Sequence, residues 1–317
     1  MHYVESMFSV REKPWHYSMT KDVTKILQDA PNSAEALRLA GLDWNVIQKD
    51  IQLKDENGDR IPGYKANVRS SDNRVLGVVS DRYRIVQNTE AFAFTDELIG
   101  GDVRYETAGS LQNGKKVWLL ARLPDTKLVG DDVESYVCFS NTHDGSGSVR
   151  VCMTPIRVVC NNTLNLALNS AKRAWSTPHV GDVQGKIREA RQCLELAEDY
   201  MDSLAEYADK LANTKLEETK LREIIDEMFA VPEDETDRKK ANAQAAKDSF
   251  MVCYFAPDIA KFRGTAWGAV NAMSDMVSHA APARNTGTYA ENNWGRIMDG
   301  HALLDQLVAK VGKFVED

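Results

Sequence analysis

Four positions in one short stretch, Lys116, Trp118, Leu120 and Arg122, alternate with Val117, Leu119 and Ala121. In a β-strand that alternation puts the first set on one face and the second on the other. Two cations flanking a large aromatic suit a single strand of nucleic acid, with Lys and Arg at phosphates and the indole against a base. Arg82-Tyr83-Arg84 repeats the combination, and Lys115 stands at a hairpin tip. The competing reading puts Trp118 and Leu120 in the core, with the stems of the cations lying along its rim. In the next hairpin, a loop centred on Gly145 would set Tyr136, Cys138, Arg150 and Cys152 on a shared face. Arg157, Asn161 and Asn165 follow at four-residue spacing, which aligns them if the segment is helical. Such a stripe could hold phosphates or base edges, and could equally tie the helix to a loop or subunit.

His143-Asp144, in the loop NTHDGSG, is the one pair with metal-ligand chemistry. A phosphohydrolase site would need further His and Asp residues, and the other histidines (2, 16, 179, 279, 301) show no ligand spacing. A glycine-flanked turn is the plainer reading of the pair. Asp131-Asp132 and Glu217-Glu218 form no catalytic set, and no GxSxG, GxGxxG or P-loop pattern occurs. No catalytic residue can be named and no cofactor is expected, so an enzyme is the lesser reading.

The elements that would position these residues follow from pattern. Ser33 can cap AEALRLAG with Gly41 ending it, and a second short helix reaches residue 49. Three hairpins are expected: 64–69 with 75–79 across SSDN, 103–107 with 116–123 across Asn113-Gly114, and 135–140 with 148–153. Asn88-Thr89-Glu90 opens a helix to Ile99, and Thr154-Pro155 supplies a cap and an N1 proline for a helix to about Ser170. Apolar residues at three- and four-residue spacing predict one long helix over 182–212. A capping box from Thr214 to Glu217 then opens a helix to Phe229, and further helices cover about 264–280 and 300–315. This is an α+β layout: an antiparallel sheet of hairpins with packed helices over 1–180, then a long-helix-rich region over 181–317, possible as a single packed unit.

The formal charge is −8. Residues 1–180 balance their charges, so the whole excess of acid falls in 181–317 and a polyanion site belongs in the first part. No apolar run approaches the ~20 residues a membrane helix needs, and the N-terminus has no apolar leader core. Five cysteines without a CxxC pair argue for reduced thiols. A cytoplasmic protein without a membrane partner is expected. Stacking of the long helix between copies suggests a homo-oligomer.

Six segments in order, REKPWH (11–16), AGLDW (40–44), VLGVVSDRYRIVQNTEAFAF (75–94), YETAGSLQNGKKVWLLARLP (105–124), SNTHDGSGSVRVCMTPIRVVCNNTLNLAL (140–168) and GTAWGAVNAMSDMVSH (264–279), resemble the phage/plasmid-like proteins that share a large domain of unknown function. One departure is PWHYSMTKD at 14–22, where relatives tend to carry a glycine-rich turn. The resemblance implies expression from mobile DNA, near replication, recombination or host-defence genes, and supplies no activity. In outline the layout is also similar to phage single-strand annealing proteins, an analogy of architecture alone. The function expected is single-stranded DNA binding in phage or plasmid DNA metabolism, extending to strand annealing. The alternatives are a metal-dependent nuclease or phosphohydrolase through His143 and Asp144, and a host-directed anti-defence interaction protein.

Overall fold

The computed structural model describes residues 4–14, 25–30, 32–54, 58–99, 104–157, 162–163, 166, 174–183, 185, 192–279 and 300–315. They are mixed α and β, with an antiparallel sheet and several helices. The chain divides into two compact units: Met1–Pro124, Ser135–Met153 and Arg173–Ala197 in the first, Asp125–Glu134, Thr154–Lys172 and Glu198–Asp317 in the second.

The first unit opens with β1 (Val4–Ser9), β2 (Lys25–Leu27) and helix α1 (Ser33–Leu39). Asn32, not Ser33, caps α1, its side-chain oxygen accepting from the Glu35 amide at 2.9 Å. Ser33 instead binds Asp96 through its amide and hydroxyl. Gly41 has φ 65°, and the Leu42 amide returns to the Leu37 carbonyl at 2.8 Å, so the glycine ends the helix as expected. The second helix expected before residue 49 is a strand, β3 (Val46–Gln52), because its β-branched residues pair with β4 (Arg60–Arg69). β5 (Val75–Ser80) completes a three-stranded antiparallel sheet, and α2 (Asn88–Ile99) follows.

The larger sheet uses β6 (Arg104–Leu111), β7 (Lys116–Arg122), β8 (Thr126–Leu128), β9 (Asp131–Thr142), β10 (Val149–Arg157), β11 (Asn162–Thr163) and β12 (Ala174–Thr177). Within the first unit its order is β10-β9-β7-β6-β1-β2, with β12 on β10. Gln112, Asn113 and Gly114 all have positive φ in the turn joining β6 to β7, which is what Asn-Gly signals. β7 lies between β6 and β9, and Val117 to Ala121 are all buried. Alternation in sequence therefore does not produce a wet face here, because both faces of the strand are covered. Cys138 and Cys152 are both buried.

The helix expected from Thr154-Pro155 is corrected: β10 runs through both residues to Arg157. On one side β10 pairs with β12 at residues 149–152 and with β11 at 156–157. Pro155 falls in the gap between those ladders, where its missing N–H costs no hydrogen bond on that side. Arg157 thus ends a strand rather than opening a helical stripe, while Asn161 and Asn165 lie outside the described residues.

In the second unit, β8 pairs with the first residues of β9, and β11 with the last of β10. Helix α3 (Gln192–Asn213), which belongs to this unit from Glu198 on, is followed by α4 (Glu218–Met228), α5 (Asp237–Tyr254), α6 (Ala266–His279) and α7 (Ala302–Gly312), with a 3-10 turn at Pro257–Phe262 before α6. The capping box expected at Thr214 is absent: its hydroxyl turns back to the Lys210 carbonyl at 2.8 Å, and Glu217 is the N-cap without a side-chain bond. α6 is buried almost all round, with Trp267, Val270 and Met273 at 1% exposure or less, as a central helix must be. α5, α7 and the 3-10 turn pack on it. Gly268 permits that approach, since a Cβ there would lie 2.3 Å from the Phe262 carbonyl oxygen. No described helix is long and apolar enough to cross a membrane.

Candidate nucleic-acid interface around the His143 loop

The loop joining β9 to β10 is held from several directions. The His143 amide donates to the Lys115 carbonyl at 2.7 Å, and the Asn67 side-chain amide donates to the His143 carbonyl at 2.7 Å. The Tyr83 hydroxyl donates to the Thr142 carbonyl, and Asn141 reaches the Val86 carbonyl at 3.0 Å. Three glycines make this closeness possible. A Cβ at Gly77 on β5 would lie 2.5 Å from the Asp144 Cα, one at Gly147 would lie 2.9 Å from the Thr142 side chain, and Gly145 has φ 77° beside Val79. Gly77→Ala is expected to destabilise the fold by about 1–3 kcal/mol, as overpacking does. Urea denaturation of the variant checks this.

His143 is fully buried and packs edge-on to Trp44 at 5.4 Å. Asn88 donates its side-chain amide to the Leu42 carbonyl at 2.9 Å, which leaves its oxygen to accept from His143 Nε2, also at 2.9 Å. The proton is thereby assigned to Nε2, and Nδ1 keeps a lone pair with no hydrogen-bond partner. Burial pulls this imidazole down to about 3, with His179 pushing the same way and Asp144 opposing. The two residues of the weaker metal-site reading therefore differ in setting. The imidazole faces inward onto Asn88, while Asp144 remains partly exposed and accepts from the Ser146 amide at 2.9 Å. Among the described residues no three His, Cys, Asp or Glu side chains gather as a metal-binding group.

A cleft of about 310 Å³ opens beside this loop, lined by Val78, Ser80, Tyr83, Asp144, His179 and Val180 among others. His179 is 3% exposed and stacks on Tyr83 with ring centroids 4.5 Å apart. Its Nδ1 donates to the Arg84 carbonyl at 2.9 Å, and the Arg84 amide donates back to the His179 carbonyl at 2.8 Å. A carbonyl only accepts, so His179 Nε2 carries a lone pair, buried and without a partner. Burial lowers the affinity of His179 for a proton, and the Arg84 carbonyl partly offsets this. Burial first, and then nearby Asp144, push the Tyr83 hydroxyl up.

The expected site residues thus separate. Arg82 and Arg84 are exposed beside the cleft, and Lys115 is half-buried with its backbone bonded to the same loop. Tyr83 and Trp118 are buried at 6% and 2% exposure, which corrects their expected role as open stacking platforms. Lys116 lies opposite Thr142 and so begins next to the loop. Arg122 stands six residues further along β7, roughly 20 Å away at strand rise, opposite Arg104 and Tyr136. Arg150 is half-buried on β10, opposite Ser176. His179 and Val180 were missed by sequence reading because no spacing relates them to His143; only the packing of their segment on residues 82–84 does so.

These features define a mixed α and β protein with a polar, glycine-pinned loop and a small cleft beside it. Residues 75–296, more than half of the chain, match the model of a domain of unknown function, DUF932, and the chain belongs to that family. No curated protein and no solved structure matched the chain.

Proposed function

We propose that the protein binds single-stranded DNA on the surface around the His143 loop, with strand annealing as the extension of that activity. One observation carries the reading. Arg82, Arg84 and Lys115 have no ion-pair partner among the described residues, whereas Arg60, Lys65, Arg69 and Arg74 of the adjoining three-stranded sheet are all paired with Asp50 or Asp72. Cations left without carboxylates beside a cleft are available to phosphates. With Tyr83 and Trp118 buried, binding rests on phosphate contacts and on the exposed valines Val78 and Val180 rather than on aromatic stacking.

Three phosphate contacts predict that log K falls with log salt at a slope of about −2, since each contact to a single strand contributes ~0.7. The double variant Arg82→Ala/Arg84→Ala should flatten that slope by about 1.4. Titration of a labelled single strand at low and high salt measures both, and the absence of binding at low salt would remove the proposal. The resemblance to phage- and plasmid-borne proteins supports a role in mobile-DNA metabolism in the cytoplasm. The helices from α3 onward supply surface for self-assembly, which light scattering of the purified protein would test.

A second reading is a host-directed protein contact. Tyr64, Val75 and Val78 are 53%, 55% and 58% exposed on β4 and β5, and β5 is an edge of its sheet. Capture of one stoichiometric host protein, together with no affinity for DNA, would favour it.

A further inference from the structure

The cleft beside the His143 loop holds more chemistry than phosphate attraction uses. Its polar groups are biased towards accepting. Asp144 spends one carboxylate oxygen on the Ser146 amide and presents the other. His179 lines the same cleft; its Nε2 keeps a lone pair because Nδ1 donates to the Arg84 carbonyl, and that nitrogen is itself buried. Ser80 adds a hydroxyl. The apolar part of the lining includes Val78 and Val180, which are 58% and 47% exposed and so open to a ligand. A volume of about 310 Å³ is at the small end for ligand pockets, the size of one ring system rather than an extended molecule.

We propose that this cleft receives one unstacked nucleobase bearing an exocyclic amino group, read through N–H donation to Asp144. This inference rests on the nucleic-acid reading and gives it a base preference. Cytosine, adenine and guanine each present amino hydrogens, and a carboxylate accepting from the cytosine amino group is a recurrent pairing. Thymine carries a carbonyl in place of the amino group and keeps N3–H as its one donor, so a base seated with that position against Asp144 would set two oxygen lone pairs against each other. Extruded bases are held in this manner elsewhere, by hydrogen bonds at one edge and apolar side chains at the faces. The glycines at 77 and 145 serve the same end, because they let the loop approach β5 closely enough to bring Asp144 to the cleft.

The test compares oligo(dC) and oligo(dT) of equal length by fluorescence anisotropy at one salt concentration, at neutral pH. Oligo(dC) should bind at least about fivefold tighter, the lower end of what one well-made base contact contributes. Asp144→Asn retains an oxygen for the Ser146 amide and places an amino group where the second carboxylate oxygen was. It should abolish the preference or reverse it towards oligo(dT). Equal binding of the two oligonucleotides by the wild-type protein would overturn the base-reading cleft while leaving DNA binding intact. Absence of binding to either would overturn the DNA reading. A separate arm then decides the cleft by itself: cytidine, but not thymidine, should shift the amide resonances of residues 144–147. Shifts by neither nucleoside would overturn the inference.

Discussion

Replacing Trp118 with alanine should lower the unfolding free energy by about 3–5 kcal/mol, the usual result of emptying a buried indole site. That is a large share of the 5–15 kcal/mol that typically separates folded from unfolded chains. Trp118 is 2% exposed in the middle of β7 and lies between Gly109 on β6 and Ser140 on β9. Two small cross-strand neighbours leave room that only the indole fills, so the loss creates a cavity that the ladder cannot close. Urea denaturation followed by far-ultraviolet circular dichroism measures the effect. Trp118→Phe should be milder and remain folded, and its affinity for single-stranded DNA should match that of the wild type. A stacking residue would behave in the opposite way, with binding weakened by ~1–3 kcal/mol and stability little changed. That outcome would overturn the placement of Trp118 in the core.

Acid should destabilise the fold through His143. In the unfolded chain this imidazole takes up a proton near its ordinary value of 6.5; in the folded chain burial delays that to about 3. Between those values the unfolded state holds the extra proton, so stability is intact above about pH 6.5 and falls as the pH drops. From pH 7 to pH 5 the loss amounts to about 2 kcal/mol from this one group. His179, also depressed by burial, acts in the same direction. Carboxylates contribute to any acid transition, so the comparison that isolates His143 is His143→Gln. The variant should be less stable at neutral pH, and its stability should decline less steeply between pH 7 and 5. Parallel curves for the two proteins would show that folding leaves the proton affinity of His143 unchanged, and would overturn this prediction.

The limits of sequence reading are visible at particular residues. Gly41 and Asn113-Gly114 marked element ends correctly, because positive φ at a turn is a local requirement. Thr154-Pro155 satisfied the local rule for a helix start equally well, yet it lies inside β10. What overruled it was a gap between two partner strands drawn from distant parts of the chain. The strand over 46–52 was misread for the same reason, since pairing with β4 decides it.

The candidate site divides along the same line. Arg82, Arg84 and Lys115 could be named from residue type and position in loops, and nothing in the fold removes their charges from solvent entirely. Tyr83 and Trp118 have the same apparent chemistry in one dimension, but burial is a property of neighbours and their neighbours enclose them. The inward setting of His143, against Asn88, Trp44 and the Lys115 carbonyl, has no signal in the dipeptide itself. His179 had no signal at all, because its role comes from stacking on Tyr83 and bonding to Arg84. By itself the sequence determined the balance of charge, the hairpins with strong turns and the membership of a mixed α and β class, all of which depend on local torsion and composition. The tertiary structure alone decided which cations lack a partner, which aromatics are closed to ligand, and where the cleft lies, because each depends on contacts between segments that spacing along the chain does not encode.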